Sequence, residues 1–265
     1  MKGNPYAKEF REKIENFEEK LARTQVELDL WLKLQVVWMY LEPVFKSDDI
    51  IKQMPVEGQK FREVDRAWDQ LMKKVQLNDA ALAVMEIKDL GKILKDNNEK
   101  VEEVTKGLND YLESKRALFP RFYFLGADEL LSILSETKDP TRVQPHLKKC
   151  FEGINELYFD EEKKIHAMIS AEGEEVRFPK PIDPVACRGA VEEWLLQVED
   201  MMIKSVKDAT EKTKQDYNKS PRDEWVRKWQ GMCVLCIAMM FWTQNAEEAM
   251  NKTGLAGLEQ YNRKL

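Results

Sequence analysis

Few residues in this 265-residue chain have the types and spacing that chemistry requires. Cys233 and Cys236 form a Cys-x-x-Cys pair, but the chain has only two histidines and no second pair to complete four metal ligands. Both cysteines lie in an apolar run, where a free thiol packs as a small hydrophobe. His146 and Cys150 share a helix face at i, i+4, a spacing that chance supplies as readily as a ligand pair. Ser135-Glu136-Thr137-Lys138 and Lys252-Thr253-Gly254 match two of three elements of the penicillin-recognising serine enzymes; the third, Ser-Asp-Asn, is absent, and the strands of that fold are not predicted. No Gly-x-x-x-x-Gly-Lys or Gly-x-Gly-x-x-Gly is present to cradle a phosphate, and Gly254 and Gly257 lack the lysine that would follow. Adjacent carboxylates such as Glu161-Glu162 fit a solvated face. The expectation is a chain with no catalytic residue, no metal and no cofactor of its own.

Composition agrees with a scaffold. Apolar residues make up 43% and charged residues 34%, with a formal charge of −6, as in a charge-coated globular protein. No basic block or polybasic helix points to nucleic acid or a membrane surface. The longest apolar run, Met232 to Trp242, falls short of the roughly 20 residues a bilayer span needs and reads as a buried core helix. The start, Met1-Lys2-Gly3-Asn4-Pro5, lacks the apolar stretch of a signal peptide. Four irregularly spaced cysteines suggest a reducing compartment rather than a disulfide framework.

The elements that would hold such a scaffold are helices. Asn4-Pro5, Asp139-Pro140, Asp183-Pro184 and Ser220-Pro221 each pair a capping side chain with a proline suited to a first helical turn. Ser220 also has Asp223 at a capping-box spacing. A first rod carries Phe10, Ile14, Phe17, Leu21, Leu28, Trp31 and Trp38 on one face, joined after Leu30 by Leu34, Val37 and Leu41, so its C-terminal end should be the more deeply buried. Pro43 ends or kinks it. A second rod runs from about Asp89 to Leu118 on a seam of Leu90, Leu94, Val101, Val104, Leu108 and Tyr111. A third runs from about Val185 to Tyr217 on Val191, Trp194, Val198, Met201 and Ala209. Shorter helices fit Gly58 to Val75, Asp128 to Ser135 and Thr141 to Phe151.

One stretch departs from helical periodicity. Ile154 to Phe159, Lys164 to Ser170 and Glu174 to Phe178 carry β-branched and aromatic residues, with Gly173 in a tight turn. Pro179, Pro181 and Pro184 follow, resisting both helix and central strand. The predicted fold is mostly α, an elongated stack of helical bundles with a small antiparallel β-element near 154–178. Its parts are a helical segment 1–153, a β-element and candidate hinge 154–184 (Gly173, Pro179, Pro181, Pro184), and a helical segment 185–265. No internal repeat of fixed period is visible.

Longer motifs carry a resemblance. Leu118-Phe119-Pro120-Arg121-Phe122-Tyr123-Phe124-Leu125, then Asp128-Glu129-Leu130-Leu131-Ser132-Ile133-Leu134, is similar to the linker of dynein heavy chains. So are Lys138-Asp139-Pro140, Val143-Gln144-Pro145-His146-Leu147-Lys148-Lys149-Cys150-Phe151, Trp38 to Phe45 and Met54 to Phe61. Ile169 to Glu174, Val191 to Leu195 and Phe241-Trp242-Thr243-Gln244 agree in order and spacing. The versions at Leu41-Glu42-Pro43 and Met54-Pro55-Val56-Glu57-Gly58 look axonemal, most like inner-arm chains.

The resemblance implies a mechanical lever. It would arch over the ATPase ring of the same heavy chain and swing as nucleotide changes, driving ciliary or flagellar motility. ATP would be bound by the ring and not here. Other dynein subunits would be partners, and the microtubule only an indirect one. The location implied is cytoskeletal, in the axoneme, and the chain would be a fragment of the heavy chain. Two non-motor readings stand beside this one: a helical adaptor or spacer binding protein partners, and an enzyme resting on the Ser135 coincidence alone. Phe119, Arg121, Phe122 and Tyr123 fit either a ring-docking cluster or the filling of a helix–helix corner.

Overall fold

The computed structural model describes residues 9–135 and 139–263; Asn4-Pro5 and Lys138 lie outside them. Packing divides the chain into two compact units, with the boundary between Thr137 and Lys138. The expected joint at 154–184 thus lies inside the second unit. Eleven α-helices and one three-stranded sheet make up the described residues, a mostly helical fold with a small β-element.

The first unit is built on three helices, α1 (Arg11–Val44), α3 (Pro55–Leu77) and α5 (Leu90–Leu118). Short helices α2 (Asp48–Gln53) and α4 (Ala81–Val84) join them, and a 3-10 turn (Pro120–Phe124) leads into α6 (Ala127–Ser135). Pro55 occupies the first turn of α3, where its missing N–H costs nothing, and so extends this helix beyond the predicted Gly58. On α3 the buried Phe61, Val64, Trp68 and Leu71 recur at three- and four-residue steps. The α5 seam is buried at Leu90, Leu94, Val101, Val104 and Leu108 as expected; its last step falls on Leu112, while Tyr111 is half-buried and donates to Gln53. Trp68 contacts Trp31 (5.4 Å between ring centroids) and Trp38 (5.6 Å), and the Trp38 indole donates to Asp65 at 3.0 Å. Asn98 on α5 donates to the carbonyl of Leu30 on α1 at 2.9 Å. This satisfies a buried amide hydrogen and fixes how the two helices slide against each other.

Helix α1 is buried unevenly. Leu34 and Leu41 are fully buried, as the broadening of the stripe predicts, and the helix ends at Val44, one residue past Pro43. Phe10, Phe17, Leu21 and Leu28 are exposed. The reason is the length of the partner. The segment before α5 meets α1 at Lys20 (to Glu86, 2.6 Å) and at Arg23 (to the Met85 carbonyl, 3.3 Å), beyond the turns that carry Phe10 and Phe17.

The second unit opens with a 3-10 turn (Pro140–Val143), capped by the Asp139 carboxylate accepting from Thr141 N–H at 3.2 Å, and α7 (Gln144–Cys150). Strands β1 (Glu156–Phe159), β2 (Ile165–Ile169) and β3 (Glu175–Ile182) form an antiparallel meander with β2 central. The side chain of Gln144 donates to the Leu157 carbonyl (2.8 Å) and accepts from the Leu157 N–H (3.0 Å). In this way it completes the outer edge of β1 as a further strand would. Gly173 takes the turn between β2 and β3 at φ 85°, as expected.

Three helical expectations change here. Asp183 does accept from the N–H groups of Val185 and Ala186, but the turn it caps, Val185–Cys187, stops at once. Arg188 (φ 50°) and Gly189 (φ 89°) reverse the backbone, so α8 runs from Val191 to Asp216 instead of starting at Val185. Ser220 does not cap α9 (Arg222–Lys228); its hydroxyl donates to Asp216 at 2.9 Å. Helix α10 (Gly231–Thr253) is no buried core helix, because it buries only Cys233, Val234 and Ile237; Cys236 is exposed. Gly254 (φ 64°) then turns the chain into α11 (Leu255–Asn262).

Candidate docking and bending sites

The 119–125 corner forms because α5 ends at Leu118 and Pro120 begins a new 3-10 turn. The turn buries every third residue, Phe119, Phe122 and Leu125, and leaves Tyr123 and Phe124 outside. Phe119 and Phe122 are fully buried and meet edge to face, centroids 4.9 Å apart. Both fill the core. Tyr123 (60% exposed) and its neighbour Phe124 (70%) point to solvent, while Arg121 is half-buried. Tyr123 is held in place: its hydroxyl donates to Glu113 at 3.1 Å and the Arg116 guanidinium lies 5.8 Å from its ring. The hydrogen bond to Glu113 raises the phenol pKa above its ordinary value. Phe124 was not singled out from the sequence. A 3-10 period in an aromatic run, which sets every third residue on one face, was the signal available.

A shallow apolar groove of about 370 Å³ lies beside this unit's α1 and α6, lined by Met39, Tyr40, Pro43, Val44, Asp128 and Leu131. Burial, with the nearby Asp128 carboxylate, raises the Tyr40 pKa. No local pattern in the sequence marks this groove, because its residues belong to two helices far apart in the chain.

The expected bending residues fall along β3. Pro179 and Pro181 are exposed on this edge strand, the place a sheet tolerates a residue without an N–H. The pairing slips there. Ile165 pairs with Ile182 and Ala167 with Arg177, so two steps along β2 match five along β3. Pro184 is buried at the strand's exit, and Gly173 lies at the opposite end with open space around its Cα.

The residues that suggested chemistry are dispersed. Ser135 closes α6 and its hydroxyl donates to the Ser132 carbonyl at 3.0 Å; Lys138 lies outside the described residues. Lys252, Thr253 and Gly254 end a helix instead of forming a strand. Cys150 is buried, and Cys233 sits 3.4 Å from the Thr210 hydroxyl. Among the described residues no three His, Cys, Asp or Glu side chains group as metal ligands, and no helix is long and apolar enough to cross a membrane. Gly257 does have a structural role. A Cβ there would lie 2.3 Å from the Ala249 carbonyl oxygen, so the absence of a side chain is what lets α11 lie against α10.

A polar and aromatic junction joins α8, α9 and α10. Trp225 is fully buried and donates to the Thr213 carbonyl at 3.0 Å, with Tyr217 edge-on at 5.1 Å and Arg222 over both rings. Tyr217 stacks on Phe241 of α10 at 4.1 Å. Asp216 accepts from Lys228, from the Trp229 indole (both 2.8 Å) and from Ser220, and these bonds hold its pKa down to about 2.

Residues 1–213 match the family described as "Dynein heavy chain, N-terminal region 2". The chain is 49% identical over 265 residues to human dynein axonemal heavy chain 12, covering 100% of this chain and 8% of that protein. It is 48% identical over 255 residues to human dynein axonemal heavy chain 3 (96% and 6%). It is 45% identical over 250 residues to mouse dynein axonemal heavy chain 1 (94% and 6%). The chain thus spans only a small part of the length of these relatives, and with a family region matched across most of its residues it belongs to the dynein heavy chain family.

Proposed function

We propose that this chain is the linker, the lever segment, of an axonemal dynein heavy chain, and that it transmits force without catalysing a reaction. The observation that carries this reading is the three-helix body of the first unit. Helix α1 has 34 residues and α5 has 29, corresponding to rods of roughly 50 and 45 Å. They are cross-tied by the buried Asn98, the Trp68 cluster and ion pairs such as Lys33–Glu102 and Lys60–Glu103. The ion pairs are exposed and each adds little. The buried ties supply the stiffness.

In this reading the ATPase ring of the same heavy chain binds and hydrolyses ATP, other dynein subunits assemble around the motor in the axoneme, and microtubule contact is indirect. Tyr123 and Phe124, with Arg121 beside them, dock on the ring; Phe119 and Phe122 support them from the core. The bend falls within 150–185, where the pairing slip and prolines of β3 precede the reversal at Arg188 and Gly189. The test is a pair of distance labels in the full-length motor, on Lys148 and Lys204, followed through the nucleotide cycle. A nucleotide-dependent change supports the bend. No change there, with a change between labels on Lys95 and Lys148, moves the bend to the 137/138 boundary. No change in either pair refutes the bend, and if a label on Lys95 also keeps its distance to the ring the lever is refuted and an adaptor is left.

A further inference from the structure

Every helix leaves its first N–H groups without an acceptor of its own, and a carboxylate near that end stabilises it. In the second unit α8 begins with Glu192 and Glu193, and α9 with Asp223 and Glu224. Helix α10 brings no such group. Its first turn holds no acidic residue, its N-cap Gln230 supplies no side-chain acceptor, and it starts on Gly231, a poor helix former. The acceptor comes from 57 residues away, on the β2–β3 hairpin. There the Glu174 carboxylate accepts from the Gly231 N–H at 2.8 Å, and the Gln230 side chain donates to the neighbouring Glu175 carbonyl at 3.4 Å.

We infer that the tip of the β2–β3 hairpin is a conformational latch: Glu174 holds the first turn of α10, and when the tip leaves its seat that turn opens and uncovers Cys233. The tip is built to present this carboxylate. The Ser170 hydroxyl accepts from the N–H groups of Glu172 and Glu174 (both 3.2 Å), the Ser170 N–H donates to the Glu174 carbonyl at 3.0 Å, and Gly173 makes the turn at φ 85°. The bond to Gly231 is itself exposed, so water competes for both partners and the latch is reversible. Glu174 directly precedes β3, so a shift of that strand along β2 carries the carboxylate with it. Behind the first turn lies Cys233, buried beside Thr210, and next to it Val234, which packs on Trp225. Cys236, one turn further along, is exposed and serves as an internal reference.

The latch lies wholly within the second unit and does not depend on the swing of the lever. Peptide-resolved maleimide labelling of the native full-length heavy chain tests it. With the capping carboxylate removed in Glu174→Ala, Cys233 should label about fivefold faster while the Cys236 rate stays unchanged. Gly173→Val reaches the same latch from elsewhere. A Cβ at Gly173 would meet nothing within 4 Å, yet a φ of 85° strains a β-branched residue and should unseat the tip. This variant should speed Cys233 to a similar extent, and adding Glu174→Ala to it should bring no further gain, since both break one contact. An unchanged Cys233 rate in Glu174→Ala overturns the latch. So do effects that multiply in the double variant, and so does faster hydrogen exchange across β1, which would show that the second unit as a whole had loosened.

Discussion

Gly257→Ala sets two physical effects against each other at one residue. Replacing a helical glycine by alanine favours the helix by roughly 0.5–1 kcal/mol through the entropy of the unfolded chain. Against that, the new Cβ would lie 2.3 Å from the Ala249 carbonyl oxygen, 2.4 Å from the Thr253 hydroxyl and 3.1 Å from the Ala249 carbonyl carbon. The hydroxyl can rotate away. The carbonyl belongs to the body of α10 and cannot, so α11 must retreat by about 1 Å, an overpacking cost of roughly 1–3 kcal/mol. The contact therefore wins, with a net loss near 1–2 kcal/mol. Gly107→Ala is the control, because its Cβ would meet Glu57 Cγ at 2.7 Å and Oε1 at 2.8 Å, atoms of a side chain that can swing aside. Here the propensity gain should survive, up to about 1 kcal/mol. Hydrogen exchange over 255–262 should quicken in Gly257→Ala and stay unchanged in Gly107→Ala. Unchanged or slower exchange of α11 in Gly257→Ala would refute the claim that backbone approach dictates this glycine.

Leu41→Ala, which empties a fully buried site on α1, should cost about 2–5 kcal/mol in urea melts, whereas Leu21→Ala, half exposed on the same helix, should fall within about 0.5 kcal/mol of the parent. Phe122→Ala should lose about 3–5 kcal/mol of stability, while Tyr123→Ala should leave the melt nearly unchanged and weaken linker–ring association; equal melting losses would contradict the inward and outward assignment of these two rings. Asp216 has a folded pKa of about 2, below its ordinary 3.8. Its contribution is thus present above pH 3.8 and lost as pH falls through the folded value. Asp216→Asn should therefore flatten the acid dependence of Trp225 and Trp229 fluorescence between about pH 4 and 2, and an unaltered acid transition would show that these hydrogen bonds are not made.

Much of this protein is written locally. The seams of α3 and α5 follow from apolar residues three and four apart, and Gly173 and the β-branched runs around it announce a hairpin, because turn geometry depends on a few adjacent residues. The long motifs around 118–134 and 138–151 were enough to name the family, since an ordered series of that length does not arise from periodicity. The burial of a given face is another matter. Phe17 and Leu34 belong to one periodic stripe, yet only Leu34 is covered, because α5 begins opposite residues 20–27 of α1. Cys233 and Cys236 share an apolar run, yet one is enclosed and the other exposed, because the Trp225 cluster reaches a single side of α10. Phe122 and Tyr123 are neighbours, and the 3-10 turn after Pro120 decides which fills the core and which is free to meet a partner. A sequence states which faces are apolar; which of them find a partner depends on where other helices start and stop, a property of the assembled fold.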